Sequence, residues 1–348
     1  MKRYILPIAL IAATVAVLNS CKKDDTTKKY DVPNTYNFDS VDYSGQTYRL
    51  DMLTELLNEV KKANTAGVVV TAQRLKEMYS NTNAPFADAT LNTSGKQLKD
   101  KTFTTEQAVI EALFDGVEAA SSAGQTGSDG VAGIVGTRLF DADGIEYKES
   151  IEKGLYGSLI YYQICEVYLS SSKIGSSIAK KDRQHYWDEA FGYYGVPKDF
   201  PNNKNGIRFL GKYGNDRDAL MSINTKVMNA YLKGRAAINN DDNDEVVKQA
   251  AIVKEAVESV IVATAIHYLN EANVGFGNDN TRNHTLSEFR GLLKALKFNS
   301  SKKITDSQLA DLFNTIGNSN WKITQANIVK ARNDLSSIYG LDAIKDQL

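Results

Sequence analysis

Apolar residues recur three and four positions apart along almost the whole of this chain, and only five prolines in 348 residues interrupt them. That combination suits long helices, because proline removes a backbone donor and clashes with the preceding turn. Tyr48, Met52, Leu53, Leu56, Leu57 and Val60 predict a helix over 46–63. Thr71 predicts the cap of a second one running to Tyr79. Residues 83–101 read as loop, and Thr104-Thr105-Glu106-Gln107 as a capping box opening a third helix. A Gly/Ser-rich run, 121–136, separates it from the most apolar segment, 147–170. There Gly154 and Gly157 would let another helix approach closely, and Glu166 on the inner stripe needs a partner. A helix and its exit are expected over 182–197, and further helices over 220–239, 244–270, 284–296, 306–314 and 324–337. The acids Asp241, Asp242, Asp244 and Glu245 suit a helix N-terminus better than a calcium loop. The reading is an all-α fold of about ten helices, in one bundle or two fused ones.

The N-terminal residues bear on location. Lys2 and Arg3 precede a short apolar run, 5–18, and Leu18-Asn19-Ser20-Cys21 follows as a lipobox. Residues 1–20 are expected to be an export signal rather than a membrane span, with Cys21 acylated after cleavage. Each buried methylene adds roughly 0.8 kcal/mol, so several chains anchor firmly. Lys22-Lys23-Asp24-Asp25 resembles the export tag of surface lipoproteins in some Gram-negative bacteria. The expectation is an outer-membrane lipoprotein, surface-exposed or facing the periplasm, with a tether at 21–37 and a folded region at 38–348. Its first partner is the membrane, through the lipid on Cys21. A net charge of −1 offers no basic surface for nucleic acid. With Cys21 lipidated, Cys165 has no disulfide partner and reads as a small buried hydrophobe.

The residues that could carry chemistry centre on the three histidines. Each has a glutamate four positions on: His185 and Glu189, His267 and Glu271, His284 and Glu288. The order is the reverse of the one that stabilises an isolated helix. Imidazole with carboxylates one turn away is also how helical bundles build metal sites, and it suits zinc, iron or manganese. Plainer readings stand beside this one. His185 could bond only Glu189, and His267 could serve the end of its own helix. Thr285-Leu286-Ser287-Glu288 is itself a capping box, which would leave His284 outside its helix. Tyr186, Trp187, Tyr194 and Glu166 either line a cleft or belong to the core. The turn-rich stretch 197–216 is a candidate rim or lid. No zinc-protease helix, nucleophile elbow or phosphate-binding loop is present.

The segment from His185 to Pro197, reading HYWDEAFGYYGVP, resembles an uncharacterised branch of the imelysin-related bacterial lipoproteins. So do Tyr43–Leu50 (YSGQTYRL), Lys153–Gly157 (KGLYG) and His284–Phe289 (HTLSEF). The resemblance covers essentially the whole mature chain. It implies an all-α fold of two fused bundles with a cleft between them, and an association with iron uptake. Some relatives were described as metallopeptidases. The Gly-x-His-x-x-Glu motif of that family maps to Arg183, His185 and Asp188, with Glu189 beside it, so two of its positions differ here. The second His/Glu segment maps to His284 and Glu288.

Three functions follow as expectations. One is a non-enzymatic binding protein for a divalent metal, iron or zinc, or a metal-containing ligand such as haem. It would use His185, Asp188, Glu189, His284 and Glu288 and hand its cargo to an outer-membrane transporter. A second is a metallopeptidase of the imelysin type. A third is a helical scaffold that docks an outer-membrane partner or a glycan.

Overall fold

A computed structural model describes residues 29–348. The expected signal, Cys21 and residues 22–28 of the expected tether lie outside the described residues. These fold into thirteen α-helices and one two-stranded hairpin, so the all-α expectation holds. None of these helices is long and apolar enough to cross a membrane.

The early helices follow the apolar spacing closely. Helix α1 is Ser44–Lys62 and α2 is Ala72–Ser80, capped by the Thr71 side chain, which accepts from the Arg74 N–H. The expected loop at 83–101 contains a short helix, α3 (Ala89–Thr93), capped by Asp88, and a single tight turn at Lys99–Lys101. Five residues are too few to leave a periodic signature. Helix α4 is Thr104–Ala123, and no side chain caps it. The predicted box does not form: Phe103 occupies the cap position, and Glu106 accepts a 2.6 Å bond from Lys294 instead. Within the Gly/Ser-rich run lies strand β1 (Gly133–Val135), paired antiparallel with β2 (Arg138–Phe140).

Helix α5 (Tyr147–Leu155) continues without a break as two wider, π-helical stretches, Tyr156–Tyr161 and Gln163–Tyr168. Gly157 does what its position suggests, since a Cβ there would lie 2.7 Å from the Cα of Ala295 on a later helix. Cys165 is fully buried and free.

After α6 (Ser171–Ile174) comes α7 (Lys180–Tyr194), then α8 (Phe209–Met221) and α9 (Ile223–Asn239). The segment expected as one helix over 220–239 is divided at Ser222, where φ is +50°. Helix α10 (Asn243–Val274), capped by Asp242, is the longest element. It packs against α8, α9, the next helix α11 (Asp279–Ala295) and the last one, α13 (Gln325–Tyr339), while α12 (Asp306–Ile316) lies on α13. Residues Asp31–Leu348 thereby cohere as one compact unit.

Much of the expected lid at 197–216 is built into the fold. Its second half belongs to α8, the Tyr36 N–H donates to the Lys198 carbonyl, and Arg208 pairs with Asp51.

Candidate functional site

The candidate side chains meet where α5, α11 and the end of the hairpin come together. Glu146, Glu149, Glu152 and Lys153 fall three or four apart, so the start of α5 presents them on one side. Helix α11 supplies His284 and Glu288. It begins earlier than its sequence suggests, at Asp279, because the Asn278 side chain accepts from the Thr281 N–H at 3.0 Å. Thr285 is therefore inside the helix, where its hydroxyl bonds the Thr281 carbonyl at 3.0 Å. The rival capping box is thus absent, and His284 and Glu288 share a face.

His284 holds the cluster together. Its Nδ1 is 2.7 Å from Glu146 Oε2 and 3.9 Å from Glu149 Oε1, and its Nε2 is 3.5 Å from Glu288 Oε1. Glu146 is fully buried. Its backbone N–H donates to the Ser287 hydroxyl at 2.8 Å, and its carboxylate lies 3.4 Å from Arg138 Nη1. Glu149 is gripped by Lys148 at 2.8 Å and by Lys153 at 2.9 Å. Lys153, 1% exposed, also reaches Glu152 at 2.8 Å and Glu288 at 3.4 Å.

Four carboxylates thus face three permanent cations: Lys148, Lys153 and Arg138. Burial works against ionising Glu149, but Lys153 and Lys148 overcome it and hold the carboxyl well below its usual range. Glu288 goes the other way. Burial pushes it up to about 7, Lys153 pulling it down less strongly, with Glu149 adding repulsion. Its Oε2 receives no hydrogen bond despite being buried. One proton, or one added positive charge, would neutralise the set.

Among the described residues, Glu146, Glu149 and His284 form the one group of three or more acidic, imidazole or thiol side chains that could hold a metal. One atom from each lies within 4.8 Å of the others. The donor set fits a borderline divalent cation such as zinc, iron(II) or manganese. Bonds of about 2.0–2.2 Å would put neighbouring donors roughly 3–3.5 Å apart. The 2.7 Å contact would open slightly and the 3.9 Å contact would close. Glu288, on the far ring nitrogen, is placed to orient the imidazole as carboxylates do behind metal-bound histidines. The cluster opens onto a groove of about 740 Å³ lined by Lys61, Arg138, Glu146, Glu149, His284 and Glu288, among others.

The structure brings His284 and Glu288 into this site but not the other expected ligands. His185 lies on α7, half-exposed, 3.7 Å from Glu189 Oε2. Glu189 in turn accepts from Gln46 at 2.8 Å. None of these partners is shared with His284. Asp188 is fully buried, where it accepts from Arg235 Nε at 2.9 Å and the Tyr36 hydroxyl at 2.7 Å. It serves as the counter-ion of a core arginine.

The expected cleft-lining residues also lie elsewhere. Trp187 and Tyr194 are fully buried core residues, and the indole N–H donates to the Tyr231 carbonyl at 3.0 Å. Tyr186 lies under the Lys173 ammonium, 4.3 Å from its ring centre. Glu166 accepts from the Ser300 N–H and hydroxyl at 2.8 and 3.0 Å. His267, 3.3 Å from Glu271, does not serve the end of its helix as expected, because α10 runs on to Val274 and its last turn holds no basic residue; it lines a second cavity of about 580 Å³ that His284 also borders.

Sequence reasoning missed Glu146, Glu149 and Lys153. The signal was present as glutamates at 146, 149 and 152, with Glu149 preceding Lys153 in the favoured order. The apolar stripe of the same helix drew the weight.

The family described as Domain of unknown function (DUF4856) matches residues 33–342. No curated protein and no solved structure matches the chain.

Proposed function

Since the chain belongs to the DUF4856 family, whose description names no activity, we propose a function from its own residues: a lipid-anchored protein that binds a divalent metal ion for uptake. The ion, zinc or iron(II), would be held by Glu146, Glu149 and His284. The observation that carries this reading is the meeting of those three side chains, from two helices, in a groove open to solvent. The excess of carboxylates over permanent cations supports it, because a divalent ion would offset charge that the fold leaves uncompensated. The signal and lipobox at the N-terminus support an outer-membrane lipoprotein anchored at Cys21. Kinship with the imelysin-related lipoproteins, and delivery to an outer-membrane transporter, belong to the same proposal.

Calorimetric titration of zinc and of iron(II) into the purified full chain tests it. One-to-one binding is expected in the wild type and in His185→Ala. It should be lost in His284→Ala and weakened at least about tenfold in Glu146→Gln, by analogy with the loss of a charged ligand contact. Identical traces for wild type and His284→Ala would overturn the reading.

Glu288 favours one alternative, a metallopeptidase. Its carboxyl, pushed up to about 7, lines the same groove as the three ligands, and would serve as a general base only toward a water held in that groove rather than across the imidazole. Cleavage of an unfolded protein substrate, abolished by chelator and by Glu288→Gln, is the result that reading requires.

A further inference from the structure

The groove above the carboxylates is far larger than a metal ion needs. A bare cation with two or three waters takes about 100 Å³, at roughly 30 Å³ per water. The groove offers about 740 Å³, within the range of sites that enclose small organic molecules. Its walls also differ in chemistry from its floor. The floor carries the acids and imidazole, whereas the rim carries donors that no protein acceptor uses.

Lys61 is exposed on the rim and, among the described residues, forms no ion pair. Arg138 engages Glu146 through Nη1 alone, which leaves its Nε and Nη2 hydrogens available. Asn64 accepts from the Leu139 N–H through Oδ1 at 3.0 Å, so its NH₂ group is a spare donor. Thr65 and Thr137 line the same groove. The only aliphatic side chains there are Ala66 and Ile134, too little apolar wall for a porphyrin.

We infer that the ion is bound as a complex with a small oxyanionic chelator, a polycarboxylate or a polyphosphate. Oxygens of the chelator that do not touch the metal are received by Lys61, Arg138, Asn64 and the two threonines. This rests on the metal-binding reading above and names the form in which the metal is held. The acidic floor would repel such an anion without the ion, so metal and chelator should each require the other.

The test exploits a difference in sign. A chelator that only competes for zinc in solution lowers the protein's apparent affinity, whereas one that completes the site raises it. The purified full chain is titrated with zinc alone, with zinc plus equimolar citrate, with zinc plus equimolar pyrophosphate, and with each anion alone. We expect at least one anion to tighten zinc binding about tenfold, within the usual range for coupled ligands, and neither anion to bind alone. Lys61→Gln, an exposed position away from the ligands, should remove most of that gain and leave the affinity for zinc alone unchanged. A lower apparent affinity with both anions overturns the inference while the metal site stands. So does a gain that survives in Lys61→Gln. No binding of zinc in any arm overturns the metal-binding reading itself.

Discussion

Lys153 and Glu288 show what the cluster demands of single residues. A lysine 1% exposed is tolerated because Glu149, Glu152 and Glu288 surround it, and their attraction outweighs the cost of burial and raises its pKa. Glu288 is the least compensated member, and its titration gives a prediction with a definite sign. Its folded pKa, about 7, lies above the ordinary 4.5. The folded state therefore holds the proton more tightly, and stability from this group is complete below pH 4.5 and lost as pH rises through 7. Between pH 5 and 8 the wild type should lose on the order of 3 kcal/mol, while Glu288→Gln should be flat over that window. Denaturant midpoints measured across the range decide it. Asp188 makes the complementary case. Asp188→Ala would strand the buried guanidinium of Arg235, at a cost of about 3–5 kcal/mol, yet it should leave zinc affinity untouched. A stable Asp188→Ala protein that no longer binds zinc would return Asp188 to the site.

At the scale of elements, the site depends on how closely α5 and α11 approach. A Cβ at Gly291 would lie 2.3 Å from Cβ of Lys153, so glycine there sets the distance between the helix that carries Glu146 and Glu149 and the one that carries His284. Gly291→Ala should cost about 1–3 kcal/mol through overpacking and weaken zinc binding, because the two halves of the cluster are pushed apart. Melting curves and the zinc titration, run on the same preparation, check both effects. The helices themselves were legible because their apolar periodicity is long. What escaped were α3, too short to show a period, and the true start of α11, where Asn278 outcompetes the capping box at Thr285. The candidate site was half legible. His284 and Glu288 stood out as a rare residue with an acid one turn on, but nothing in one dimension says that Glu146, 138 positions earlier, lies against the imidazole. Pairing His185 with His284 failed for the same reason: local spacing does not fix which helices become neighbours.

For the whole molecule, the proposal joins a membrane anchor to a ligand site. Metabolic labelling with palmitate should mark the wild-type chain and not Cys21→Ser, which should partition with the soluble fraction. Equal labelling of both would remove the anchor from the account. The folded body begins abruptly. Tyr36 is fully buried, stacked on Phe191 at 3.8 Å between ring centres, with its hydroxyl on Asp188. On the proposed anchor, that contact bounds how far the folded residues can lie from Cys21. The fifteen residues from Lys22 to Tyr36 span at most about 50 Å at full stretch, roughly the width of the body they hold. On the proposed anchor, chain length alone keeps the folded residues within that distance of the lipid, so whatever collects the proposed cargo must stand in the same membrane, close to Cys21.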